Sequence, residues 1–428
     1  MPDVANLLRQ AIRFVIDILS AVFDAAFTFS SSFYSASSHR YEQASQASAY
    51  ANTSTPTPSN PSCNPLFNVL KKRTFSLSTQ EITLTKLIAE GGFSFVYEAT
   101  SSESGGNKFA CKIANVQTPE QRQAIEKEIA VHERIKQIPD TNILQLLDYS
   151  FVSINRLTIN FMLFPLMNNG SLRDQIDQRL NNSPINTPFR ESHLLESFRT
   201  ICQSVKVSER ASERAFLEGI NLVEEGARGI LIAFSTFLGA SLRSAPLRSA
   251  KLLHAQNITH RDIKPENVLF SNSGTPTLID LGSAIIGCVK LTSRQDALNL
   301  ADTAANNSTM SYRAPELFEH GCSYHDEDSV DAKTDVWSLG CLLFAMMYGQ
   351  SPFECEFARD DSGKVRVCEC TYLRVIGKVP TPPKGSEVGR RYRIEVNELV
   401  KACLNQVRRE RLTISNLLER INELYSSV

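Results

Sequence analysis

Ile258-Thr259-His260-Arg261-Asp262-Ile263-Lys264-Pro265-Glu266-Asn267-Val268-Leu269 places a carboxylate, an ammonium and a carboxamide within six residues of one turn-rich loop. Phosphoryl transfer needs those three groups together: a carboxylate to orient an attacking hydroxyl, a cation near the phosphate, and hard oxygen ligands for a divalent metal. Asp262, Lys264 and Asn267 supply them in that order. Downstream, Leu278-Ile279-Asp280-Leu281-Gly282 sets a second carboxylate at a strand end, followed by a glycine. Thr309-Met310-Ser311-Tyr312-Arg313-Ala314-Pro315-Glu316 and Asp335-Val336-Trp337-Ser338-Leu339-Gly340 follow. A chance loop matches one such string; the ordered set does not arise by chance.

Upstream, Thr83–Ala89, Phe95–Ala99 and Lys108–Ala114 read as successive strands. The loop between the first two carries Ala89-Glu90-Gly91-Gly92-Phe93-Ser94. Small residues there let backbone N–H groups approach phosphate oxygens that a Cβ would obstruct. Taken alone, two glycines between strands are also what a hairpin turn requires. Lys112 stands among apolar neighbours in the third strand, and a buried ammonium needs a carboxylate partner. The helical stretch Glu120–Ile135 offers Glu128, with Ile125, Ile129 and His132 at helical spacing around it.

With these strings in order, the chain resembles a eukaryotic protein kinase over residues 81–427. Within that superfamily it is similar to the Numb-associated kinases, above all their serine/threonine kinase 16 branch. Glu90-Gly91-Gly92-Phe93-Ser94, Asp280-Leu281-Gly282, Ser311 to Phe318 and Thr334 to Cys341 carry the finer likeness. The resemblance implies an α+β, two-lobed fold: a small antiparallel-sheet lobe with one helix, and a larger, mainly helical lobe. ATP and Mg²⁺ would bind between them, for γ-phosphoryl transfer to Ser or Thr hydroxyls of protein substrates.

By the same resemblance Asp262 accepts the substrate proton, Lys264 neutralises the transferred group, and Lys112, paired with Glu128, holds the α- and β-phosphates. Thr309 braces Asp262 and Lys264, the serine/threonine arrangement. Asn267 and Asp280 hold the metal. The nucleotide meets Ala89, Glu90, Gly91, Gly92, Phe93 and Ser94 in the loop. Its adenine lies among Val96, Ala110 and Leu269, with Pro165 and Met167 in the hinge and Phe164 at the back. Glu316 pairs with Arg411. Ala89 departs from the superfamily's first loop glycine, which predicts a modest change in ATP affinity. The rival from another class is a pseudokinase scaffold; the intact Lys112, Asp262, Asn267 and Asp280 argue against it.

Hydrophobic residues make up 42% and charged residues 21%, which excludes a wholly disordered chain. Lys and Arg number 45 against 46 Asp and Glu, and nothing in that balance advertises a nucleic-acid binder. The 10 Cys form no CxxC pair, so reduced thiols are expected over a zinc site or disulfide framework.

Residues 1–29 read as an amphipathic helix. Arg9, Arg13, Asp17, Ser20 and Asp24 fall in an arc of roughly 80° and interrupt any span able to cross a bilayer. Its wide apolar face suits a membrane surface or a partner helix, and equally packing on its own domain. This predicts a cytoplasmic protein, peripheral on endomembranes (Golgi, vacuole or endosome) if the membrane reading holds. Residues 30–80, rich in Ser, Thr and Pro, read as a flexible linker. Residues 207–251 interrupt a helical pattern that runs to Val205-Lys206 and resumes in register at Leu252-Leu253. They read as a translated retained intron, since Val-Ser and the final Lys are encodable by splice-site sequences; the alternative is a genuine surface insertion.

Overall fold

The chain divides into two compact units, residues 1–63 and 64–428. A computed structural model describes residues 70–205 and 258–427, except 71–72, 92–93, 102–105, 137–141, 155–156, 183–188 and 320–328. All of these belong to the second unit. The expected N-terminal helix, most of the linker and the 207–251 segment lie outside the described residues.

Six antiparallel strands form the first layer in the order β1-β2-β3-β4-β6-β5. They are β1 (Thr74–Ser76), β2 (Glu81–Glu90), β3 (Ser94–Ser101), β4 (Lys108–Val116), β5 (Asp148–Ile154) and β6 (Leu157–Pro165). Strand alternation sends successive side chains to opposite faces, and β6 buries both. Ile159, Phe161 and Leu163 enter one core with Cys111 and Ile113, while Met162 and Phe164 enter another with Ile125 and Ile129. Helix α1 (Pro119–Lys136) gives Ile125 and Ile129 to that second core, and also buries Glu128, His132 and Ile135 at helical spacing.

The boundary between linker and folded domain moves. Residues 30–80 were expected to be flexible up to the first predicted strand, but β1 already pairs with β2, Phe75 opposite Ile82. Phe75 packs on Phe161 with ring centroids 4.8 Å apart, and Leu70 is fully buried. Three residues around one aromatic ring are too short to show a strand period, yet they bury enough apolar area to belong to the sheet.

The second lobe is mainly helical. It contains α2 (Leu172–Asn182), α3 (residues 191–205), α4 (Arg294–Asn307), α5 (Lys333–Tyr348), α6 (Ile394–Cys403) and α7 (Ile414–Ser426). Every residue of α5 from Thr334 to Tyr348 is buried, so α5 is the axis on which the lobe packs. Short hairpins carry the loops between: β7 (Ile258–Thr259) pairs with β10 (Ile285–Ile286), and β8 (Val268–Phe270) with β9 (Pro276–Leu278). The string from Ile258 to Leu269 therefore runs from β7 to β8, held at both ends by backbone pairing. The antiparallel sheet with one helix followed by a helical lobe is the architecture expected from the sequence.

Candidate active site

Two constellations of ionic side chains meet in one cleft of about 830 Å³.

The first joins β4, α1 and the turn after β9. Lys112 Nζ donates to Glu128 Oε1 at 2.7 Å and to Asp280 Oδ1 at 3.0 Å. Glu128 is 7% exposed, so without Lys112 a buried carboxylate would stand uncompensated, a loss of several kcal/mol. Burial pulls the Lys112 ammonium down, but Glu128 and Asp280 outweigh it and hold the group above its ordinary range. In return Lys112 holds the Asp280 carboxyl down to about 2 against the opposing pull of burial. Asp280 adopts φ 63°, a left-handed conformation tolerated best by Gly, Asn and Asp. Gly282 follows because a Cβ there would come 3.3 Å from Asp280 Oδ1 and 3.4 Å from Glu128 Oε2.

The second lies on the β7–β8 loop. Asp262 Oδ1 accepts from the Thr309 backbone N–H at 2.9 Å and from Thr309 Oγ1 at 3.0 Å. Lys264 Nζ donates to Thr309 Oγ1 at 2.7 Å and lies 2.8 Å from Asp262 Oδ2. Asn267 Nδ2 donates to the Asp262 carbonyl at 2.8 Å and to Asp262 Oδ2 at 3.0 Å. Carboxylate, hydroxyl and ammonium form a closed ring with no free rotor among them.

Beneath this ring sits a residue whose role the sequence did not reveal. Asp335, in the first turn of α5 and fully buried, accepts from the backbone N–H of His260 at 2.7 Å and of Arg261 at 2.9 Å. Arg261 has φ 66°, and a non-glycine residue there costs of order 1–2 kcal/mol. The Asp335 clamp holds that conformation. His260 Nε2 donates to the Ile279 carbonyl at 3.0 Å, since its Nδ1 accepts from the Asp262 N–H. This ties the two constellations together. The Arg261 guanidinium donates through Nε to the Ser283 carbonyl at 2.7 Å.

Of the expected nucleotide contacts, Ala89, Glu90, Gly91, Ser94, Val96 and Ala110 line the cleft from the sheet side. Pro165, Met167 and Leu269 line it as well; Gly92 and Phe93 fall outside the described residues. Leu144 and Ile279 line the same apolar end and were not anticipated. Both sit in short extended segments joined by one bridge, Ile143 to Leu278, which leaves no periodic signal. Farther down the chain, Arg411 forks onto Glu316, Nη1 to Oε1 at 2.7 Å and Nη2 to Oε2 at 3.0 Å.

A metal fits this donor set. Asn267 uses its amide protons on Asp262, which leaves Oδ1 as a hard oxygen. Asp280 presents its second carboxylate oxygen, Oδ2. Among the described residues no three His, Cys, Asp or Glu side chains gather to hold a metal by themselves. That suits a cation taking one or two protein oxygens and completing its shell with phosphate and water.

Residues 234–421 match the protein kinase domain family. The chain is 28% identical over 418 residues to a probable serine/threonine-protein kinase of Dictyostelium discoideum, covering 83% of this chain and 97% of that one. It is 29% identical to human serine/threonine-protein kinase 16 over 69% of this chain and 78% of that one. It is 25% identical to the serine/threonine-protein kinase ENV7 of Saccharomyces cerevisiae, over 82% and 94% of the two chains.

Proposed function

We propose that this serine/threonine protein kinase transfers the γ-phosphoryl group of ATP through the Asp262–Thr309–Lys264 ring, and that it belongs to the serine/threonine kinase 16 branch of the Numb-associated kinases. The observation that carries the catalytic reading is one cleft lined by Lys264 and Thr309 of that ring and by Lys112, Glu128 and Asp280. Asp262 is fixed by three donors, so it orients an incoming hydroxyl and receives its proton without reorganising. Lys264, already against Asp262, places its charge beside the group in flight. Lys112 grips the α- and β-phosphates, and Glu128 keeps it aimed. Mg²⁺, when bound to Asn267 and Asp280, supplies the charge neutralisation that a metaphosphate-like transition state needs. Thr309 fits Ser and Thr acceptors because its hydroxyl fills the space between Asp262 and Lys264.

The branch assignment is supported by Glu90-Gly91-Gly92-Phe93-Ser94 and Asp280-Leu281-Gly282, together with the likeness to kinase 16. Peripheral contact with endomembranes is supported by the wide apolar face of residues 4–29 alone. Among the described residues no helix is long and apolar enough to cross a membrane. A fluorescent fusion of residues 1–30 that stays diffuse in cells removes the membrane part.

Radiolabelled ATP with a generic protein substrate tests the enzyme. Wild type labels it, while Asp262→Asn, with folding unchanged, and Lys112→Met each fall by about 10³-fold or more. A wild type that binds ATP but labels nothing is the scaffold instead.

A further inference from the structure

Leu373 and Ile376 stand three residues apart on the helical turn Tyr372–Val375 and its cap, a spacing that puts them on one side. Leu373 is 76% exposed, although the turn is held firmly from behind. Arg374 donates to the Phe353 carbonyl at 3.1 Å, the Cys355 carbonyl at 3.0 Å and Glu356 Oε1 at 2.8 Å. Val375 is fully buried, and Tyr372 packs on Phe318 with ring centroids 5.1 Å apart. Two more exposed apolar side chains flank the turn. Val367, 72% exposed, is the register partner of Cys355, whose carbonyl Arg374 binds. Val407 follows Gln406, which donates to the Val375 carbonyl at 2.8 Å.

Single exposed apolar residues are ordinary, but these four sit on adjoining elements. They include the two most exposed of the large apolar side chains among the described residues. A cation stands within two residues of each element: Arg366 before Val367, Lys378 after Ile376 and Arg409 after Val407, all exposed. Among the described residues none of the three makes an ion pair. Glu369 and Glu410 are the opposing unpaired carboxylates, so the balance around the patch is positive. The patch also borders the acceptor end of the cleft. Phe353 and Cys355, both held by Arg374, flank Glu354, which lines the cleft together with Thr309.

We propose that this surface docks an acidic, amphipathic helix of the protein substrate, outside the segment that is phosphorylated. Such a helix lays its apolar face on Leu373, Ile376, Val367 and Val407, as helices do on exposed apolar surfaces. Its acidic flanks meet Arg366, Lys378 and Arg409, which speed association and disfavour basic segments. Arg374 and Val375 already fix the turn, so binding orders little of the kinase. A substrate is the occupant because the surface borders the acceptor end of the cleft and lies away from the nucleotide end. The inference rests on the kinase reading and names a means by which that enzyme selects its substrates.

The test uses the full chain and a fluorescent peptide of about 20 residues, with Leu at helical spacing and Glu on its flanks, beside a twin with Lys for Glu. By fluorescence anisotropy the acidic peptide should bind at least tenfold tighter than its twin. Leu373→Asp and Ile376→Asp should each weaken that binding about tenfold. Arg366→Glu combined with Lys378→Glu should turn the preference toward the Lys twin, a gain that misfolding cannot imitate. Joined to a serine peptide, the acidic helix should lower KM severalfold in wild type and not in Leu373→Asp, while the serine peptide alone is phosphorylated equally by both. Equal binding of the two peptides, or binding untouched by the variants, overturns the docking site. So does a dimer of this chain that Leu373→Asp dissolves, or binding to phosphatidylserine vesicles and not to the peptide. Anisotropy needs no catalysis, so loss of the docking site is distinct from a failure of phosphoryl transfer.

Discussion

Asp262 shows how much of this site is positioning. Its Oδ1 receives two hydrogen bonds from Thr309, one from backbone and one from side chain, and the same side chain accepts from Lys264. Thr309→Val removes the hydroxyl while leaving the backbone donor, so kcat should fall roughly tenfold to a hundredfold with little change in the KM for ATP. Thr309→Ser should restore most of it, which a merely structural role would not require. His132 makes a different prediction. It is 3% exposed, beside Phe164 and within the field of Lys112, Asp280 and His260. Burial first, then Lys112, drive its value from the usual 6.5 to about 3. The unfolded chain therefore takes up a proton below about pH 6.5 that the folded chain refuses. Stability contributed by neutral His132 is complete above that pH and is lost as pH falls toward 3. At pH 5 the loss is about 2 kcal/mol, and His132→Gln should flatten the decline in melting temperature between pH 6.5 and 5. The sequence displayed Asp262, Lys264 and Asn267 because one loop carries them. It hid the work of Asp335, which acts on backbone N–H groups 74 and 75 positions away and so leaves no local pattern.

Elements were legible where a period ran long enough. The expected strands from Thr83, Phe95 and Lys108 appear as β2, β3 and β4, and Glu120–Ile135 as most of α1. Helix α4 was not anticipated. Its buried positions are Ala297, Leu300, Ala301 and Ala304, a stripe of small residues that reads weakly as a hydrophobic face. Ser293 and Asp296 give it a proper start: the Ser293 side chain caps the Asp296 N–H, and Thr292 Oγ1 donates to the Asp296 carboxylate at 2.7 Å. Those two hydroxyls are committed to capping the helix. At α5 the informative residue is Gly340. Added there, a Cβ would lie 2.6 Å from Cys403 Cβ and 3.1 Å from Leu404, because α5 and α6 approach until only hydrogen fits. Backbone and a core side chain cannot both yield, so Gly340→Ala should lower stability by about 1–3 kcal/mol despite its better helix propensity. Thermal melting measures it, and an unchanged or higher melting temperature would mean the two helices are not seated so closely.

At the scale of the molecule, one side chain ties the turn Pro315–Leu317 to the C-terminal helices. Arg411, 2% exposed, binds Glu316, the Lys333 carbonyl at 2.8 Å and the Asn405 carbonyl at 3.1 Å, with its guanidinium 5.0 Å above Trp337. The same lobe frames residues 207–251. Helix α3 is described to Val205, with Phe198, Ile201, Cys202 and Val205 buried in the main core, and β7 begins at Ile258 already within the same core. In the chain as it stands, residues 206–257 connect those two fixed points. Without residues 207–251, seven residues remain, Lys206 and 252–257. That is enough to finish a helix turn and enter a strand by a connection of ordinary length. The flanking sequence stays in register without the longer segment, and on that ground we propose that the segment is a retained intron. Deleting residues 207–251 should therefore leave the melting temperature equal or higher and preserve kcat, since Asp262 keeps its tie to Thr309 and Asp335. Tryptic peptides of the natural protein give the independent reading. Abundant fragments from 210–247, or a deletion that melts lower and loses activity, would make the segment a working part of the kinase.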